Sequence, residues 1–135
     1  MAYPILYNAN ETNFEHLGVS VLTDASNCYV SRERNGIYIL EFDYSSNGKD
    51  VDKIKEGMII KSDAGHRAKN QRFIVSQITK NKDGFKFYCQ HESYVKTAMN
   101  VINGEIKVQG SATNALEIWK DNLLDSKEKF FVWSD

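Results

Sequence analysis

The chain has 135 residues, 41% of them hydrophobic, with a formal net charge of −1. That length suits one compact domain, or one plus the start of another, and the apolar share is enough for a core and well above a disordered composition. The near-neutral balance gives no global positive field to draw in nucleic acid or anionic lipid, and neither a long apolar run nor the charged-then-apolar order of a signal peptide is present, so neither a membrane span nor a leader is expected.

In chain order, Ile5 to Tyr7 is a short strand, Asn8 to Asn13 a polar turn, and Val19, Val21 and Leu22 are extended. The densest signal follows, from Cys28 to Tyr44, where two β-rich stretches meet at Asn35-Gly36. A two-residue loop would set Val30 opposite Glu41. A three-residue loop with a left-handed Gly36 bulge sets Val30 opposite Leu40 and Cys28 opposite Phe42. Apolar matching favours the second register, because a slip of one residue turns every side chain to the other face. The second strand then carries Tyr38, Leu40, Phe42 and Tyr44 on one face and Ile37, Ile39, Glu41 and Asp43 on the other.

Beyond a Ser/Asn/Gly loop at 45–49, Val51 to Glu56 fits one helical turn ended by Gly57. Met58 to Lys61 is a strand, and 63–70 a polar loop. Arg72 to Lys80 and Phe85 to His91 form a second hairpin around Asn81-Lys82-Asp83-Gly84, with Phe85, Phe87 and Cys89 alternating against Lys86, Tyr88 and Gln90. Tyr94 to Val101 is ambiguous, and Glu105 to Val108 is a short strand. A helix runs from Ala112 to Leu124, capped by Ser111 or Thr113, with Ala112, Ala115, Leu116, Trp119 and Leu123 as its apolar stripe. Phe130 to Trp133 is a last strand; so apolar an edge is a poor stopping point, which suggests a longer parent chain. The fold class is α+β and β-rich. A small antiparallel barrel-like core built from hairpins occupies 1–103, and a strand–helix–strand segment, 104–135, packs on it or begins a second domain.

Motifs for chemistry fail on inspection. His91-Glu92 opens like a zinc-protease motif, but the second histidine belongs at position 95, which is Val95; His16 and His66 are isolated. Ser93/Lys96, Ser46/Lys49 and Ser126/Lys129 all satisfy Ser-x-x-Lys, a pattern expected about once by chance in such a chain, and none has its supporting motifs. Glu41 and Asp43 share a strand face at a spacing that cooperating carboxylates could use, yet a solvated hairpin face explains them more simply. The loop with His66, Arg67, Lys69 and Arg72 could meet an acidic partner or nucleic acid; a solvated loop is the plainer reading. Cys28 and Cys89, the only cysteines, are expected as buried free thiols. No residue is assigned as catalytic, cofactor-binding or metal-binding.

Several short blocks occur in a telling order: Pro4-Ile5-Leu6-Tyr7, Asn10-Glu11-Thr12, Phe14, Gly18 to Ala25, Cys28-Tyr29-Val30 and Glu33 to Phe42, then Gly57-Met58-Ile59-Ile60, Gln71-Arg72-Phe73-Ile74, Asp83-Gly84, His91-Glu92-Ser93-Tyr94 and the segment around Leu116. Together, from about residue 4 to 135, they resemble the N-terminal region of the tail-hub family of long-tailed phages and prophages of Gram-positive bacteria, also called tail-associated lysins, prophage endopeptidase tail proteins or minor structural proteins. The resemblance implies a structural baseplate component that joins the tail tube to the distal tip. It further implies a homotrimer when full length, with two barrel-like domains per protomer forming a ring, and other tail proteins (distal tail and tube proteins) as partners. Neither nucleic acid nor membrane is implied, and no cofactor. The location would be the virion, with the host cytoplasm during assembly. Lytic activity, where the family has it, lies in C-terminal regions, so this segment is expected not to be an enzyme. The alternatives are a cell-wall carbohydrate or receptor-binding module, or part of a peptidoglycan-degrading enzyme whose catalytic domain lies elsewhere.

Overall fold

The computed structural model describes residues 3–98, 107 and 109–121. Seven strands form where β-branched and aromatic residues alternate: β1 Ile5–Tyr7, β2 Ser20–Val21, β3 Ala25–Arg32, β4 Tyr38–Ser45, β5 Ile59–Ser62, β6 Gln71–Lys80 and β7 Gly84–His91. All pair antiparallel in one sheet of order β2-β1-β5-β6-β7-β4-β3. Its two edges, β2 and β3, are consecutive in the chain and separated only by Leu22 to Asp24. The sheet must therefore curl until its edges approach at that point, which makes it a half-barrel.

The concave face is the core. β4 contributes Tyr38, Leu40, Phe42 and Tyr44, β6 Phe73 and Val75, and β7 Phe87 and Cys89, joined by Leu6, Leu22 and Ile60, all buried. Val30 lies opposite Leu40, as the three-residue loop requires. The convex face is less uniformly polar than alternation suggests, since Ile39 is buried too. Two of the buried tyrosines keep their hydroxyls bonded: Tyr44 donates to the Lys49 carbonyl at 2.6 Å and Tyr7 to those of Phe14 and His16. On β6 an extra residue near Ser76 shifts the phase, so Ile78 rather than Gln77 packs toward the core after Val75.

Three local expectations are corrected. The left-handed residue of the first hairpin is Asn35 (φ 57°), not Gly36. The Gly36 N–H donates to the Glu33 carbonyl at 3.1 Å, so Asn35 holds the third position of that turn, the position that takes positive φ in a type II turn. Cys28 has no one-to-one pairing with Phe42: a bulge between Ser26 and Tyr29, with Asn27 left-handed at φ 49°, places both Asn27 and Cys28 in that stretch. Gly57 does not end the helical turn, which is a 3₁₀ turn at Val51–Lys53 followed by extended Ile54. Instead Gly57 (φ 88°) is third in a turn closed by the Met58 N–H on the Lys55 carbonyl at 3.3 Å.

The chain divides into two compact units, Met1–Val95 and Lys96–Asp135. The described part of the segment whose pattern was ambiguous, Tyr94 to Ala98, belongs to a helix, α1 Glu92–Ala98, and residues 99–101 lie outside the described residues. In the second unit α2 spans Ala112–Asp121, and Ser111 is its cap, its Oγ accepting the Asn114 N–H at 3.2 Å. Residues 122–124 of the expected helix, and the strands expected at 105–108 and 130–133, lie outside the described residues.

Gly84 pairs with Ser45, and a Cβ there would stand 2.2 Å from the Tyr44 carbonyl oxygen, a backbone atom that cannot swing away. At Gly36 a Cβ would press only on the exposed Glu33 side chain, at 2.9 Å. Gly84→Ala should therefore lower stability by about 2–4 kcal/mol and Gly36→Ala by about 1. Thermal melts of the two variants check this, and a larger loss at Gly36 would contradict the assigned turns.

Candidate functional site

His91 ends β7 in a fully occupied setting. Its ring stacks on Tyr38 at 4.2 Å and meets Phe73 edge-on at 5.3 Å. Nδ1 accepts the Ser93 N–H at 3.2 Å, which leaves the proton on Nε2 to donate to Gln71 Oε1 at 3.0 Å. The histidine thus ties β6 and β4 to the first turn of α1, and the Ser93 hydroxyl, 2.8 Å from Nδ1, belongs to the same knot. Ser46 and Lys49 lie in the turn after β4, where the Lys49 N–H donates to Asp24 Oδ2 at 2.7 Å. Ser126 and Lys129 lie outside the described residues.

Glu41 and Asp43 are each taken by the neighbouring strand. The Tyr29 hydroxyl donates to Glu41, and Asn27 Nδ2 donates to Asp43 Oδ2 at 2.9 Å. The bond to Glu41 is also the main reason the Tyr29 phenol is held above its usual range. Two of the basic loop's cations are likewise committed: Lys69 pairs with Asp63 at 3.3 Å, and Arg72 with Glu92 at 2.6 Å while lying over the Phe14 ring. Asp63 is held below the carboxylate range chiefly by the Asn70 N–H. His66 and Arg67 stay exposed.

Among the described residues, two concave features have mainly apolar linings. A cleft of about 370 Å³ lies at the open seam of the half-barrel, between the Cys28–Val30 stretch of β3 on one side and Pro4 with Ser62 to Gly65 on the other, and it reaches down to Leu40. A shallower apolar groove of about 550 Å³ runs between the 3₁₀ turn (Val51, Ile54) and Ile78, Phe85 and Phe87. Among the described residues no group of three or more His, Cys, Asp or Glu gathers as a metal site, and no helix is long and apolar enough to cross a membrane. The seam draws on four separate segments, which no local motif connects; its only trace in the sequence is a β3 strand with a hairpin partner on one side alone. What the geometry offers is binding by shape and by backbone.

Both cysteines are free, but only Cys89 is fully buried; Cys28 is half-exposed, a correction to the expectation of two buried thiols. Burial raises both thiols above the ordinary range, Cys89 much further, while the Asp43 charge adds to the effect at Cys28. Since the thiolate is the nucleophile, a disulfide reagent should label one thiol per native chain, slowly at neutral pH and faster as pH rises past the usual cysteine range. Both should react in denaturant. Rapid native labelling of two thiols at pH 7 would contradict this burial.

Comparison with known families matches residues 4–95 to the prophage endopeptidase tail N-terminal domain. Neither the curated proteins nor the solved structures yielded a match. The matched span coincides with the sheet unit and covers well over half of the sequence. The chain therefore belongs to the prophage endopeptidase tail N-terminal domain family, a family of phage tail proteins.

Proposed function

We propose that this chain is the N-terminal hub domain of a phage tail, a structural module that joins the tail tube to the distal tip. The observation that carries the reading is the family match over residues 4–95, the whole strand-built unit. The resemblance of the segment around Leu116 to the same hub proteins supports it beyond that span. On this reading the partners are the tube and distal tail proteins, and the working form is a trimeric ring assembled in the host cytoplasm before incorporation into the virion. The segment is not itself an enzyme: the side chains that come nearest to a catalytic motif, His91 and Ser93, are engaged in fastening α1 to the sheet.

Isolated modules of obligate rings keep too little contact area to offset the entropy of association. The 135-residue chain should accordingly be monomeric or weakly associated at micromolar concentration. A longer protein that carries it together with the remaining hub domains should be a stable trimer. Light scattering on both decides the matter; a monomeric longer protein removes the hub reading and favours a receptor- or carbohydrate-binding module. Incubation of the chain with peptidoglycan should release no fragments, and cleavage abolished by His91→Ala or Ser93→Ala would overturn the structural assignment.

A further inference from the structure

The loop from Asn8 to Val19, between β1 and β2, is fastened around one histidine. The Gly18 N–H donates to His16 Nδ1 at 2.9 Å, so in this arrangement Nδ1 carries no proton and the ring proton sits on Nε2. Nε2 points at Glu11 Oε2, 3.3 Å away. The other oxygen of that carboxylate accepts the N–H groups of Thr12 and Asn13 at 3.0 and 3.1 Å. These bonds, the one from Asn13 foremost, hold Glu11 below the ordinary carboxylate range, so it stays ionised in mildly acidic solution. One ring thus serves two partners with opposite demands. Gly18 needs a bare Nδ1, which only the neutral ring offers, whereas the Glu11 carboxylate favours the imidazolium.

The surroundings keep the loop in place whichever form the ring takes. From β1, Tyr7 meets the ring edge-on at 5.4 Å, and its hydroxyl donates to the His16 carbonyl. The Val19 N–H donates to the Leu6 carbonyl at 2.8 Å. From β5, Lys61 donates to the Phe14 carbonyl at 2.7 Å and lies over the Tyr7 ring; from β6, Arg72 lies over the Phe14 ring and pairs with Glu92. Within the loop the remaining charge is the exposed Glu15. Among these groups only histidine is of a type that ordinarily changes charge between about pH 5 and 8. The bond between His16 and Gly18 closes around Leu17, whose side chain, 68% exposed, is the most exposed large apolar one among the described residues.

We propose that His16 is a proton-sensitive clasp on this loop: neutral, it holds the Gly18 N–H and fixes the turn that presents Leu17; protonated, it releases Gly18 to water, keeps Glu11 alone and leaves Leu17 freer at the surface while the sheet stays intact. The inference rests on the loop and not on the hub reading, so a longer protein that failed to trimerise would leave it standing.

The test is NMR of the isotope-labelled whole chain, titrated from about pH 8 to about pH 5. The Gly18 amide proton should move upfield in step with the His16 ring signals, as a lost hydrogen bond requires, while the Thr12 and Asn13 amides hold their positions on Glu11. Methyl relaxation of Leu17 should report greater motion over the same range. In His16→Asn the side-chain oxygen can still accept the N–H two residues on, but nothing titrates, so the Gly18 signal should stay at its bonded position throughout. Glu11→Gln keeps an oxygen for Thr12 and Asn13 and removes the charge that favours the imidazolium. It should displace the Gly18 change toward lower pH by a few tenths of a unit, the size of an exposed ion pair. A Gly18 signal that stays put while the His16 ring titrates would overturn the proposal. So would Leu17 motion that is the same at both ends of the range, a Gly18 signal that still moves in His16→Asn, or a Glu11→Gln curve displaced upward or not at all. Should His16→Asn fail to fold, the comparison of ring and Gly18 signals in the wild-type chain decides alone.

Discussion

Phe42 and Phe87 stack 5.1 Å apart at the middle of the β4–β7 ladder, directly opposite one another in register. Leu40 against Cys89 and Tyr44 against Phe85 continue the same face on either side. Strands β4 and β7 belong to different hairpins, so this ladder is the long-range contact that converts two local hairpins into one sheet. Each hairpin alone would bury too little to be stable in water. Joined, they present a continuous aromatic surface on which β5, β1 and the 3₁₀ turn can close. The other long-range pairing, β1 with β5, and the neighbouring β5–β6 ladder add the rest of the barrel wall.

The curl of that sheet fixes where it closes. Because the edge strands β2 and β3 are chain neighbours, the barrel is drawn together at Leu22 to Asp24 and left open further along β3. Ser20 donates to Asp50 at 2.7 Å, and Lys53 pairs with the same carboxylate at 3.0 Å, so the drawn-together end is fastened to the 3₁₀ turn. The Ser20 bond is the main reason that Asp50 is held below the carboxylate range. Among the described residues the open end has no comparable strap.

The polar side chains of the sheet unit are spent on architecture. His91 caps α1 and props Tyr38; Glu41 and Asp43 hold β3 across its bulge; Arg72 joins β6 to Glu92 and covers Phe14. Groups engaged in this way are oriented by their partners, and their removal would be felt in folding before any chemistry.

Period-2 alternation made the strand positions legible from residues alone: β1 at Ile5–Tyr7 and the two hairpins needed only the local pattern, and the matching of Val30 with Leu40 was enough to choose the loop length. The Ser111 cap and the start of α2 were equally local. The family was legible too, through the order of short blocks along the chain, and the match over residues 4–95 agrees with it. What local pattern could not decide was anything that depends on a third strand. Alternation left undetermined whether Asn35 or Gly36 takes the positive φ and where the β3 bulge falls. Ile39, which alternation places on the face away from Leu40 and Phe42, is nonetheless buried. The seam cleft is the clearest case. It lies where strands distant in sequence set the order of the sheet and, among the described residues, leave β3 without an outer neighbour, so no motif in the chain announces it.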